Sequence, residues 1–182
     1  MKWSAKSTLS KEVILKLNSV GTYSVGKTSL IRRYTDNTFY EDYLPTLGVD
    51  ITVKRGVIVN DKLVRLVFMD TAGEEKFGNL RKTYFEGSQG CIAVYDITRT
   101  ETFKDLDHWL KEYRTAAGDD RCITIIGNKI DLAGRRVIHE KEGRRYARSQ
   151  GTNFSEASAK FGGKALNAIF DALMKKCLVK IS

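Results

Sequence analysis

The sequence predicts an α/β domain built on a mostly parallel sheet, and three observations carry that expectation. Short β-branched apolar runs alternate with segments of helical period. A glycine-rich stretch, "GTYSVGKT" (21–28), follows at once on the first apolar run. Acidic or polar motifs recur where apolar runs end, the place where open α/β sheets bind ligands.

The elements follow in order. "VILKLNSV" (13–20) is the first strand, and "SLIRRYTDNTF" after the glycine loop carries a helix. "DITVKRGVIVN" and "KLVRLVFMD" are separated only by residues around Asn60-Asp61, a turn signal, and should pair as an antiparallel hairpin. "GCIAVYDIT" (90–98) and "CITIIGNK" (122–129) read as buried strands. Between them Phe103, Leu106, Leu110 and Tyr113 keep a helical period, as do Leu166, Ile169, Phe170, Leu173 and Cys177 near the end. With 182 residues and no linker or repeat, one domain is expected over 1–182, residues 1–11 forming a loose N-terminal extension.

Composition excludes several classes. No run of eighteen apolar residues is present, and the start "MKWSAKSTLSK" has no secretory apolar core. Lys2 stands where myristoylation needs glycine. Val179 stands where a C-a-a-X box needs cysteine, so either a lipidated tail has been removed or the protein is not prenylated. Cys91, Cys122 and Cys177 are odd in number and widely spaced, which speaks for thiols in a reducing cytoplasm. The net charge of +9 is spread along the chain, so a solvated surface is favoured and no nucleic-acid partner is expected. One basic cluster, Lys141, Arg144, Arg145 and Arg148, occupies a single helix face. It reads as a solvated face, with acidic lipid or an acidic partner as the alternative. His108 and His139 show no metal-ligand spacing.

Four motifs carry chemistry. In the first, G-x-x-x-x-G-K-[ST], backbone N–H groups from Gly21 through Ser24, Val25 and Gly26 can cradle phosphates, with Ser29 in the first helical turn. Lys27 would reach the β- and γ-phosphates, and the Thr28 hydroxyl Mg²⁺. The second, "DTAG", offers Asp70 to Mg²⁺ and the Gly73 N–H to a γ-phosphate. In the third, "NKID", Asp131 presents two acceptors to the N1–H and 2-amino donors of guanine. Adenine lacks both donors and would leave the carboxylate unpaired, a penalty of about 1–3 kcal/mol. Asn128 bonds the base edge or braces the loop, and the Lys129 stem can lie over the ring. The fourth, "SAK" (Ser158, Ala159, Lys160), can offer a backbone N–H to the guanine carbonyl. Spacing alone thus implies an α/β triphosphate-binding domain.

Taken together, the order and placement of the four motifs resemble the small GTPases of the Ras superfamily, and most of all the Rab branch. The resemblance runs from about Val13 to Cys177 and rests on "YLPTLGVD", "MDTAGEEKF", "TYFEGSQGCIAVYDIT", "GNKIDL" and "EGRRYARSQGTNFSEASAK". It implies a P-loop GTPase fold: about six strands, mostly parallel with one antiparallel hairpin, and helices on both faces. It implies GTP/GDP and Mg²⁺ as ligands, with Thr28, Thr46 and Asp70 around the metal. A first switch would span residues 37–50, with Phe39 against the guanine edge, Tyr43 over the phosphates and Thr46 on Mg²⁺ and the γ-phosphate. A second would run from Asp70 to about Phe85. Partners implied are effectors, exchange factors and activating proteins, met by a monomer in the cytoplasm or at the cytosolic face of membranes.

The chain departs from the family pattern at three places. Tyr23 and Ser24 replace small residues of the loop. If Ser24 needs a positive φ, the strain is about 1–3 kcal/mol. The Tyr23 ring is expected over the γ-phosphate, where an activating arginine would enter. Glu74 stands where the family places a water-orienting glutamine. An ionised Glu accepts but cannot donate, so slow or atypical hydrolysis is expected. With Lys27 and Gly73, Tyr23 and Glu74 complete the expected catalytic set. At the positions matching three aromatic effector contacts stand Ile51, Met69 and Tyr84. The rival reading is a module that holds GTP without hydrolysing it.

Overall fold

The computed structural model describes residues 12–41, 45–46, 48–72 and 78–181. Tyr43, Gly73 and Glu74 therefore lie outside the described residues, as does the expected N-terminal extension.

Six strands form one sheet: β1 (Val13–Val20), β2 (Val49–Val59), β3 (Lys62–Thr71), β4 (Gly90–Asp96), β5 (Cys122–Asn128) and β6 (Asn153–Glu156). Their order is β2-β3-β1-β4-β5-β6. Only the β2–β3 pair is antiparallel, as the sequence predicts. Asn60 and Asp61 turn that hairpin with φ of 49° and 59°. Positive φ at both central residues is the geometry whose twist matches the flanking strands, and Asn and Asp tolerate it best after Gly. β4 and β5 are buried at every residue, because helices cover both faces of a parallel sheet. β2, at the sheet edge, is largely exposed.

The helices are α1 (Lys27–Asp36), α2 (Gly78–Phe85), α3 (Thr100–Lys104), α4 (Leu106–Ala117), α5 (Glu140–Ser149) and α6 (Gly163–Ile181). α1 and α6 cover one face. Their contribution includes Leu30, Ile31, Leu166, Leu173 and Leu178, packed with Leu15, Leu17 and Phe68 of the sheet. At its centre Tyr34 stacks on Phe170 at 4.3 Å, and both meet Phe68 edge-on. Helices α4 and α5, with Phe85 of α2, cover the other face against Ala93, Tyr95 and Ile125. Cys91, Cys122 and Cys177 are all buried free thiols.

The periodic stretch from Phe103 to Tyr113 is two helices rather than one, divided at Asp105. The apolar positions on either side keep one face, so periodicity does not reveal the break. The Asp105 carboxylate instead accepts from the Thr22 hydroxyl of the glycine loop.

Candidate functional site

The glycine loop leaves β1 between two close approaches. A Cβ on Gly21 would lie 2.2 Å from the Val94 carbonyl oxygen, and one on Gly26 would lie 2.3 Å from the Asn128 amide nitrogen. Both positions also have positive φ, 135° and 94°, so glycine is required twice over. Ser24 has φ 60°, the left-handed conformation its sequence position suggested, here held by a non-glycine residue. Val25 is fully buried and anchors the loop in the core. α1 starts immediately at Lys27 and carries no side-chain cap. Its first N–H groups therefore point into the cavity without a side-chain partner.

Lys27 folds back over the loop. Its ammonium donates to the carbonyls of Gly21 (2.7 Å) and Thr22 (3.1 Å). Only 7% of it is exposed. Burial lowers its pKa to about 8; Asp70 opposes that shift, while Arg81 and Arg99 add to it. Beside it, at the end of β3, Asp70 is almost wholly buried. Burial raises its pKa, against hydrogen bonds from Ser19 (2.6 Å) and from the Thr28 hydroxyl. The Thr46 hydroxyl lies 2.9 Å from that of Thr28. Two hydroxyls and one carboxylate from three separate segments thus converge on one point. The set is all oxygen and carries one negative charge. It suits Mg²⁺, which takes one or two carboxylates and fills its octahedron with water and substrate phosphate.

At the far end of the same cavity stand the later motifs. Asn128 ends β5 and is buried; its amide donates to the Val25 carbonyl (2.8 Å), and its side-chain oxygen accepts from the Ala159 N–H (3.2 Å). It therefore braces the glycine loop against the "SAK" loop. Lys129 adopts φ 71° and its ammonium pairs with Asp96 at 2.7 Å. Burial pushes the Asp96 carboxyl up, but Lys129 and Thr98 outweigh it and hold the group below its ordinary value. Asp131 accepts from the buried Ser158 hydroxyl at 2.5 Å, which fixes the carboxylate plane. Arg33 ties α1 to this loop through the carbonyls of Ala159 (2.9 Å) and Lys160 (3.0 Å). Lys160 pairs with Glu41 across the cavity rim at 2.7 Å.

The cavity measures about 790 Å³, a volume suited to one large organic ligand. Of the residues the sequence singles out, Tyr23, Ser24, Gly26, Lys27, Thr28 and Ser29 line its phosphate-loop end. Phe39 and Thr46 line its flank, and Asn128, Lys129, Asp131, Ala159 and Lys160 its far end. Gly21, Val25, Asp70 and Ser158 stand behind that lining. Phe39 also packs on the core that α1 and α6 share, with the Arg33 guanidinium 5.8 Å from its ring. Tyr23 is 55% exposed. Its ring lies 5.7 Å from the Arg99 guanidinium, which also donates to the Tyr23 carbonyl at 2.9 Å. Ile51 and Met69 face each other across the hairpin.

Several supporting residues are invisible to motif reading. The Trp109 indole donates to the Thr22 hydroxyl (3.1 Å), which donates in turn to Asp105 (2.8 Å). The glycine loop is thus pinned to α4 from outside the cavity. Arg81 of α2 is buried, pairs with Glu112 through two nitrogens at 2.8 and 2.9 Å, and lies 4.8 Å over the Trp109 ring. The one available signal was Asp105 and Trp109 at i, i+4, next to a periodic apolar stripe. It does not say what they hold.

This arrangement has relatives. The sequence pattern of the Ras family matches residues 16–179. The chain is 42% identical over 151 residues to the Ras-related protein RABC1 of Arabidopsis thaliana, covering 82% of this chain and 70% of that protein. It is 42% identical over 147 residues to the Ras-related protein Rab-12 of Homo sapiens, covering 80% of this chain and 60% of that one. Against the Ras-related protein RabC of Dictyostelium discoideum it is 36% identical over 170 residues, covering 92% and 85%. The match spans nearly every strand and helix described above, at identities well beyond a shared fold alone, and places the chain in the Ras family of small GTPases, among relatives of Rab type.

Proposed function

We propose that the chain is a guanine-nucleotide switch that binds GTP and GDP with Mg²⁺ and hydrolyses GTP slowly. The observation that carries the reading is the pairing of two sites in one cavity. Thr28, Thr46 and Asp70 converge beside Lys27 at one end, and Asp131, Asn128 and Ala159 are fixed together at the other. Phosphates would lie against Lys27 and the uncapped start of α1, where backbone N–H groups and the helix dipole favour anions. Thr28, Thr46 and Asp70 would hold Mg²⁺, which neutralises charge on phosphate oxygens when bound. At the other end Asp131 would accept from guanine, its second oxygen left available by the Ser158 bond. The Ala159 N–H, already committed to Asn128, would be shared with the base carbonyl or give way to it.

Hydrolysis needs a water in line with the γ-phosphate and donors aimed at the charge that develops there. Lys27 supplies one such donor. Glu74 would sit near the water as an acceptor and add negative charge. Tyr23 would occupy the approach of an activating arginine, whose contribution is typically about 10³–10⁵ in rate. Its ring is steadied by Arg99, which Asp96 (3.4 Å) and Glu101 (3.8 Å) hold in turn. Gain and loss of the γ-phosphate would order and release the segments carrying Thr46 and Gly73, so that effectors and exchange factors read the bound nucleotide. A role in membrane traffic follows from the Rab-type relatives. Effector contact through Ile51 and Met69 would differ from an aromatic surface. The second reading, a GTP-binding module that scarcely turns over, is favoured by Tyr23 and Glu74 themselves.

The test is to identify the nucleotide released from the purified protein. Guanine nucleotide at near one equivalent supports the proposal. Adenine nucleotide, or no guanine affinity in the presence of Mg²⁺, contradicts it.

A further inference from the structure

A second cavity of about 710 Å³ lies away from the nucleotide site, along the outer edge of β6, between α5 and α6. Its floor is the strand Asn153–Glu156. One wall is Arg144, Ala147 and Arg148 of α5, and the other is Ala165, Ala168, Ala172 and Lys176 of α6. The three alanines are exposed, and their small side chains leave the trough open.

Three further observations point to what fills it. Thr124 of β5 lines the trough, is 3% exposed, and its hydroxyl has no hydrogen-bond partner among the described residues. A buried hydroxyl without a partner is uncommon and calls for a polar guest. The strand itself is an edge, paired among the described residues with β5 alone. The Ala157 N–H donates to Gly127 on the β5 side. Alternation along the strand therefore turns the N–H and C=O of Phe154 and Glu156 to the outer side, where the trough runs. Finally, the rim is cationic. Among the described residues Arg148 makes no ion pair, and the Lys176 ammonium meets the Asn153 side-chain oxygen, at 2.5 Å. Arg144 leans on the Phe154 ring and pairs with Glu140. The one carboxylate in the trough, Glu156, is already matched by both terminal nitrogens of Arg136, at 2.6 and 2.8 Å.

We propose that this trough is a docking site for an extended acidic peptide segment of a partner protein, which adds a strand to the free edge of β6 and places its carboxylates against Arg144, Arg148 and Lys176. Main-chain hydrogen bonds to Phe154 and Glu156 would supply affinity, and carboxylates on the two faces of the added strand would meet α5 on one side and α6 on the other. The basic face of α5 then recognises a partner rather than merely facing solvent. None of the residues involved lines the nucleotide cavity, so the site and its test stand apart from the nucleotide reading.

The test uses the whole chain with two labelled eight-residue synthetic peptides, one repeating Glu-Glu-Thr-Thr and the other Lys-Lys-Thr-Thr, so that each presents charge on both faces of an added strand, and with phosphatidylserine vesicles. The acidic peptide is expected to bind at micromolar to sub-millimolar concentration, to slow amide exchange at Phe154 and Glu156, and to weaken as salt rises. Arg148→Glu and Lys176→Glu should each weaken it about tenfold. Ala172→Trp, which fills the trough and leaves every charge in place, should abolish it. An unchanged melting temperature shows that these exposed substitutions preserve the fold. The proposal is overturned by any of three results: no acidic-peptide binding up to millimolar concentration, equal binding of the Lys peptide, or binding that Ala172→Trp leaves intact. Vesicle binding that Arg148→Glu weakens while neither peptide binds would assign the basic face to lipid and also overturn it.

Discussion

Lys27 should make nucleotide affinity fall as pH rises above 8. Burial lowers its pKa to about 8 when no phosphate stands beside it. A bound di- or triphosphate favours the ammonium form, so binding draws the pKa back up. Below pH 8 the lysine is already charged in the free protein, and binding takes up little. Above pH 8 the free protein holds a neutral amine and binding must take up a proton, so affinity falls as pH rises. At pH 8.5 about three quarters of free sites carry the neutral amine, and between pH 7 and pH 9 the affinity for GDP should fall about tenfold from this group alone. The assay is calorimetric titration of nucleotide-stripped protein with GDP and Mg²⁺ in two buffers of different ionisation enthalpy. Lys27→Arg serves as reference, because its guanidinium stays charged throughout. Ionisation of the base and of other groups is common to both proteins and cancels in the difference. Wild type should take up about three quarters of a proton more than the variant at pH 8.5. Equal uptake by the two proteins would refute the claim that a buried, partly neutral Lys27 faces the phosphates.

Arg81→Ala removes the bidentate partner of the mostly buried Glu112, which keeps a 3.5 Å contact with His108, and removes the cation over Trp109; it should lower stability by about 3 kcal/mol in urea unfolding. Little change would mean that the pair is hydrated in solution. Ser24→Gly relieves a left-handed residue and should raise stability by up to about 1 kcal/mol, a rise of about 2–4 °C in melting temperature. A lower melting temperature would show that the serine is held by contacts worth more than its strain. Asp131→Ala removes an acceptor for guanine and should cost about 10–150-fold in GDP affinity while leaving any adenine nucleotide binding unchanged. Equal losses for both bases would point to a collapsed loop rather than lost recognition.

Much of this was legible in the sequence, for identifiable reasons. β1, the hairpin, β4 and β5 are long apolar or alternating runs, and Asn60-Asp61 marks its turn by residue type. The two glycines of the loop are dictated by close approaches that leave no room for a Cβ. Elsewhere the signal was too short or lay in the wrong register. β6 has four residues with a single large apolar one, Phe154, and is held by pairing with β5 rather than by its own pattern. The break at Asp105 is hidden because the apolar face continues through it. Asn128 could be read as bonding the base or bracing the loop, and only tertiary contacts show the bracing. The Trp109–Thr22–Asp105 contact joins residues about eighty positions apart, which no local pattern records.

As proposed, Tyr23 and Glu74 slow the clock of a guanine switch. The measurement that tests it most directly is single-turnover hydrolysis of bound GTP, in the wild type and in the pair Tyr23→Gly and Glu74→Gln. The account predicts slow conversion in the wild type, faster hydrolysis in Glu74→Gln, and a response to an arginine-supplying activating protein that appears only when Tyr23 is replaced. Wild-type hydrolysis already fast, stimulated by such a protein, and unchanged by either substitution would contradict it.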